Sequence, residues 1–122
     1  MAKVIIAGGR DFDNPQMIED TMKQLDMIVT EVVCGCARGA DTLGREWAKK
    51  HNIPVKNFPA DWDSYGNIAG ALRNQEMGDY ADFLVAFWDG KSAGTRHMIT
   101  YMQQIGKHGK VIMYECTAKP LF

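Results

Sequence analysis

Short β-branched runs alternate along this chain with longer stretches in which apolar residues recur every three or four positions. Val4-Ile5-Ile6-Ala7, ended by Gly8-Gly9, has the unbroken apolar character of a strand buried on both faces. Asn14-Pro15 then predicts a helix start, a capping residue followed by proline at the first helical position, with Ile18, Met22 and Leu25 at helical spacing. Val32-Val33-Cys34 predicts a second strand, stopped by Gly35. Asp41 is placed to cap the next helix, whose stripe is Leu43, Trp47 and Ala48 and whose end carries Lys49-Lys50. Val55 to Phe58 predicts a third strand, and Ala60 to Gly66 an irregular loop. A helix is expected from about Asn67 to Tyr80, and a strand from Phe83 to Phe87. Thr95 is expected to cap a helix with Met98, Ile99, Met102 and Ile105 on one face, and Val111 to Tyr114 is the fifth strand. The closing Lys119-Pro120-Leu121-Phe122 carries no signal.

Strand and helix in alternation, with short connections, imply a parallel sheet covered by helices on both faces. The expected fold is therefore α/β, a single Rossmann-like three-layer domain over residues 1–122 with a parallel five-stranded sheet and a core from about 3 to 115. The length fits: 122 residues fall short of the roughly 150 typical of one domain, so no second one is expected. No repeat or low-complexity linker interrupts the chain.

Composition narrows the function. With 46% hydrophobic and 24% charged residues the chain is of globular type. Fourteen basic against fifteen acidic residues leave a net charge of −1, which makes duplex DNA an unlikely partner. No apolar run approaches the roughly 18 residues of a membrane span, and MAKVIIAGGRDF lacks a signal-peptide layout. A cytoplasmic setting is expected. Cys34, Cys36 and Cys116 make no disulfide framework and read as reduced thiols, with buried packing favoured over reactivity for Cys34 and Cys36. His51, His97 and His108 are not at metal-ligand spacing from them, so no metal is expected.

Three unusual turns carry the chemistry. Gly8-Gly9-Arg10-Asp11 follows the first strand, Gly35-Cys36-Ala37-Arg38-Gly39-Ala40-Asp41 the second, and Asp89-Gly90-Lys91-Ser92-Ala93-Gly94-Thr95 the fourth. In a parallel sheet these turns converge on the C-terminal rim, the usual ligand crevice. Glycine admits close backbone approach, and each following helix offers unpaired N–H groups. Ser92 and Thr95 add hydroxyls, while Arg10, Arg38 and Arg73 can grip phosphate. Asp11 and Asp89 suit sugar hydroxyls. Asp61 also follows a strand and can flank the crevice, and Asp41 reads equally as cap or contact. Trp62 is balanced between stacking a base and closing the core edge, an edge role is favoured for Trp88, and Trp47 reads as core. The eight methionines fall mostly on apolar helix faces. Neither a G-x-x-x-x-G-K-[ST] loop nor a complete G-x-G-x-x-G is present, so neither a Walker-type hydrolase nor a dinucleotide dehydrogenase is expected. The pattern suits a phosphorylated small molecule.

These same residues carry a resemblance. GGRDF at Gly8 to Phe12, ARGAD at Ala37 to Asp41, PADW at Pro59 to Trp62, RNQEM at Arg73 to Met77 and FWDGKSAGT at Phe87 to Thr95 resemble the YspA-like branch of the SLOG superfamily. The motifs run in order over roughly Val4 to Tyr114. The resemblance implies a Rossmann-like fold that binds nucleotides or their derivatives, in bacteria and their phages. Relatives include the lonely-guy phosphoribohydrolases and the DNA-processing protein that binds single-stranded DNA, whose ARGID-type loop ARGAD resembles.

The phosphoribohydrolases pair a Gly-Thr phosphate loop with a glutamate three residues on; here Gly94-Thr95 is followed by Met98 at that position. Their catalytic arginine stretch resembles Arg73-Asn74-Gln75-Glu76-Met77. Arg73 is thus the catalytic candidate if the protein is an enzyme, with Asp89, Glu76 or Asp11 left to replace the missing acid. The leading expectation is a sensor or sequestering module for a nucleotide-derived small molecule. The alternative is a nucleotide hydrolase cleaving an N-glycosidic or phosphate bond, and the third is single-stranded nucleic-acid binding. No cofactor is expected, and a homodimer or higher homo-oligomer is compatible.

Overall fold

The computed structural model describes residues 1–114. Cys116 and the last residues lie outside that range. Five strands, β1 (Ala2–Gly8), β2 (Val29–Cys34), β3 (Val55–Asn57), β4 (Phe83–Trp88) and β5 (His108–Met113), form one sheet in the order β3-β2-β1-β4-β5. Every neighbouring pair is parallel. Helices α1 (Pro15–Gln24) and α2 (Ala40–Lys50) connect β1, β2 and β3. A short turn of helix, α3 (Trp62–Tyr65), a 3-10 turn at Gly66–Ile68 and α4 (Ala69–Tyr80) lead to β4, and α5 (Ala93–Gln104) leads to β5.

Strand alternation divides the core in two. Val4, Ile6, Val32, Val85 and Phe87 face α1 and α2, where Ile18, Met22 and Ala48 cover them. Ile5, Ala7, Val33, Leu84 and Ala86 face α4 and α5, where Met77, Met98 and Met102 cover them. Val4, Ile5 and Ile6 are at most 1% exposed, which is why β1 reads as an unbroken apolar run. Burying each such side chain is worth about 1.5–3 kcal/mol. The chain moves one way along the sheet through α1 and α2 and the other way through α4 and α5. Parallel crossovers of one hand then require helices on opposite faces. The expected three-layer α/β fold with a five-stranded parallel sheet is the fold observed, and no described helix is long and apolar enough to cross a membrane.

Several boundaries differ from the sequence expectation, each for a local reason. Asn14 does cap α1, accepting from the Met17 N–H at 3.0 Å. The stretch Ala60 to Gly66 is not an irregular loop, because the Asp61 carboxylate accepts from the Ser64 N–H at 3.1 Å and nucleates α3. Gly39, not Asp41, caps α2; its φ of 74° is a conformation that glycine adopts without strain. Ser92, not Thr95, occupies the cap of α5. Strands β2 and β5 begin earlier than their apolar runs, at Val29 and His108. β5 is an edge strand whose residues alternate between exposed and half-buried over its second half, so its polar start gave no strand signal.

A candidate ligand cleft at the switch point of the sheet

Strand order reverses between β1 and β4, and a cleft of about 360 Å³ opens there beyond the C-terminal ends of the strands. All three glycine turns reach it. Gly8, Gly9, Arg10 and Asp11 come from the β1 turn, Ala37 and Asp41 from the β2 turn, and Asp89, Ser92, Gly94 and Thr95 from the β4 turn. Arg73 and Asn74 enter from α4, while Ala7, Met77 and Met98 supply the apolar floor. A second cleft of about 270 Å³ adjoins it through the shared residues Arg10, Ala37 and Arg73. Gly35, Arg38 and Trp62 line that second space with Cys36, Pro59 and Ala60.

Three sequence candidates line neither cleft. Asp61 caps α3 instead. Gly39 packs beneath the β1 turn, where a Cβ would stand 2.2 Å from the Gly9 carbonyl oxygen. Gly90, at φ 82°, shapes the β4 turn from behind. Trp88 is half-buried, donates from Nε1 to the Ser92 carbonyl at 3.1 Å and carries the Arg96 guanidinium over its ring, an edge-closing role. Trp47 packs against the core beside His51, as its helix stripe implied.

The first cleft combines exposed charges, Arg10 and Asp11, with polar groups that burial isolates from water. Four described polar residues are buried, Thr21, Asp41, Asn74 and Thr95, and the last three all line this cleft. Buried polar groups need partners. Asn74 donates from Nδ2 to the Gly94 carbonyl at 3.2 Å and receives at Oδ1 the Arg73 Nε–H at 3.1 Å. It thereby ties α4 to the start of α5 and orients the arginine, whose Nη1 donates to the Gly35 carbonyl. Thr95 donates to the Ser92 Oγ at 3.2 Å. Asp41 Oδ2 accepts the Ala37 N–H at 3.1 Å. Burial pushes the Asp41 carboxyl up from its ordinary pKa, and the Ala37 N–H and the charges of Arg73 and Arg10 oppose that rise. Neither arginine forms an ion pair with it within 4.0 Å.

The β4 turn is closed from within. Asp89 Oδ1 accepts the Lys91 and Ser92 N–H groups, both at 2.8 Å, and these bonds hold its pKa below the usual value. Ser92 at the cap of α5 makes no side-chain cap bond, so the first-turn N–H groups of α5 receive no bond from the cap side chain, and Gly94 and Thr95 of that turn line the cleft. A Cβ at Gly94 would meet no protein atom within 4 Å, so the space in front of it is open. On the other side of the mouth, the Tyr114 hydroxyl donates to Asp11 Oδ1 at 2.7 Å.

Two residues acquire meaning only in three dimensions. Asp41 reads from the sequence equally as cap or ligand contact, and nothing local signals its burial at the cleft. Met98 is 1% exposed and packs with Met77 and Met102, so the position of the phosphoribohydrolase glutamate is part of the core here. Of the acids named as replacements, Asp11 and Asp89 line the cleft, whereas Glu76 is exposed and does not. No group of three or more His, Cys, Asp or Glu placed to hold a metal ion occurs among the described residues.

Sheet order, crossovers and a rim cleft built from three glycine turns define a Rossmann-like α/β protein with an open cleft at the switch point. Residues 2–65, from β1 through α3, match the family described as YspA, cpYpsA-related SLOG, and the chain belongs to that family. It is 35% identical over 115 residues to the Gene 61 protein of Mycobacterium phage D29, an alignment covering 87% of this chain and 92% of the relative. No solved structure matches. Family membership suggests nucleotide-related ligands, bound or processed.

Proposed function

We propose that the protein binds a nucleotide or nucleotide-derived small molecule in the switch-point cleft and acts as a sensor or sequestering module. The observation that carries this reading is the gathering of Asp41, Asn74 and Thr95, three of the four buried polar residues among those described, around one open space. Burying polar groups costs stability unless each is hydrogen-bonded, and here those bonds hold the three residues in place around the open space. In this reading the uncapped N–H groups of α5, with Thr95 and Ser92, hold a phosphate. Arg73, oriented by Asn74, and Arg10 complete its charge, and Asp11 or Asp89 accepts from ribose hydroxyls. The apolar floor of Ala7, Met77 and Met98 suits the less polar face of the ligand.

Hydrolysis of a nucleotide is the second reading, and one observation favours it. Asp41, whose carboxyl burial pushes up from its ordinary pKa, lines the same cleft as Arg73, so a buried acid stands in one space with the catalytic candidate. Native mass spectrometry with nucleoside monophosphates, NAD, ADP-ribose and cyclic nucleotides separates the two. Stoichiometric retention of an intact ligand supports binding alone. Release of free base or phosphate, lost in Arg73→Ala, supports hydrolysis. Failure to retain or turn over any member of the panel overturns the nucleotide reading.

A further inference from the structure

The second cleft differs in chemistry from the first. Three aspartates line the first, Asp11, Asp41 and Asp89. No acid lines the second, where Arg10, Arg38 and Arg73 meet a tryptophan. Arg10 and Arg38 make no hydrogen bond or ion pair among the described residues, so two of the three guanidinium groups have their donors free. Three like charges around one space repel one another, and an anion placed among them relieves that repulsion.

Trp62 supplies the other half of the argument. It is 51% exposed, far from the burial expected of a tryptophan that merely closes a core edge. Its position is set from two sides. Asp61 fixes the first turn of α3, which carries Trp62. Gly70, in the first turn of α4, packs close to the ring: a Cβ there would lie in ordinary contact, 3.4 Å from the Trp62 Cη2 and 3.9 Å from the Arg73 Nη2. The indole and the guanidinium that both clefts share thus each come within 4 Å of one point and line the same cleft, with half of Trp62 exposed. Free guanidinium groups next to an exposed indole match a phosphate followed by an aromatic base.

We infer that the second cleft is a subsite for a second nucleotide unit, so that the ligand is two nucleoside units joined through phosphate, its linking phosphate at Arg10 and Arg73 and its second base on Trp62. This rests on the proposed nucleotide site in the first cleft and names the class of its ligand. The linkage can be a phosphodiester or a pyrophosphate, since both place charge at the shared arginines.

Calorimetric titration of the full chain tests the inference. The probes are pApA, pGpG, pCpC and pUpU for the phosphodiester and NAD for the pyrophosphate, each against the matching monophosphate. At least one two-unit probe is expected to bind tenfold or more tighter than its monophosphate, the scale of one stacked base. That affinity ratio should fall toward one in Trp62→Ala and in Arg38→Ala, two exposed positions whose circular-dichroism melts report folding. A wild-type ratio near one, or a ratio unchanged by both variants, overturns the second subsite while monophosphate binding leaves the first site standing. Failure of every mono- and dinucleotide to bind overturns the underlying reading as well. A ten-nucleotide strand binding far more tightly than any dinucleotide also overturns the inference, in favour of a single-strand track.

Discussion

Gly94 gives the sharpest mutational test, because adding a methyl group there should move stability and binding in opposite directions. Gly94 is the second residue of α5, and a Cβ at that position meets no protein atom within 4 Å. Its φ lies outside the left-handed range, so alanine is tolerated. Replacing a helical glycine with alanine gains up to about 1 kcal/mol in a helix interior. In a first turn, about 0.5 kcal/mol is the expected gain, or a Tm rise of roughly 2 °C for a domain of this size. Gly94 lines the cleft, and its added methyl would tilt toward the N-terminal end of α5, into the space proposed for the phosphate. One hydrogen bond to a charged group is worth about 1.5–3 kcal/mol, so displacing the phosphate from a single donor weakens binding by about tenfold or more. Thermal unfolding and nucleotide calorimetry on Gly94→Ala read the two effects separately, and Gly94→Leu should weaken binding further. Gly8→Ala is the contrasting control: its Cβ would lie 2.3 Å from the Phe87 carbonyl oxygen, so it should lower the Tm. A Gly94→Ala protein that melts higher yet binds unchanged would refute the placement of the phosphate. One that melts lower would refute the steric reading.

Lys107 Nζ donates to the Gly78, Asp79 and Ala81 carbonyls at 2.7, 3.0 and 2.7 Å, satisfying the C-terminal end of α4. Lys107→Met should cost about 1–3 kcal/mol in chemical denaturation while leaving nucleotide affinity within twofold, because the residue lies away from both clefts. Glu19 bonds Lys50 Nζ at 2.9 Å and His51 Nε2 at 2.8 Å, and these partners pull its carboxyl down from 4.5 to about 2. A depressed acid contributes stability above its unfolded pKa and loses it as pH falls. Stability should therefore drop between about pH 5 and pH 2 more steeply in the wild type than in Glu19→Gln, as followed by urea melts at several pH values. Burial raises the Cys34 thiol to about 11, whereas Cys36 is exposed. Iodoacetamide at pH 8 should label Cys36 and spare Cys34 in the native protein, as read by peptide mass spectrometry.

The fold was legible because both-face burial imprints itself locally. Val4-Ile5-Ile6 and Leu84-Val85-Ala86 can be nothing but inner strands, and the glycines after β1 and β2 mark where each strand leaves the core. Where burial is one-sided the signal fades, as at His108-Gly109-Lys110 on the edge strand. Helix starts were legible at Asn14, whose cap is a sequence-local bond, but not at Asp41 or Thr95. Those side chains point into tertiary structure, and Gly39 and Ser92 take the cap positions. The site follows the same division. Glycine turns and arginines were readable as types, and fourteen of the seventeen named ligand candidates line one of the two clefts. The burial of Asp41 and the division of the rim into a space of mixed charge and one lined by arginines without acids depend on how α2, α3 and α4 meet, which no local pattern encodes.

The central claim is that nucleotide phosphate binds at the switch point against the first turn of α5. A ¹H–¹⁵N correlation spectrum titrated with AMP, GMP, CMP and UMP tests it most directly. The account predicts that the largest shifts fall on the backbone amides of Gly8, Gly9, Gly94 and Thr95. Shifts confined to α1 or to the β5 edge, or saturating binding with those four amides unmoved, would contradict it.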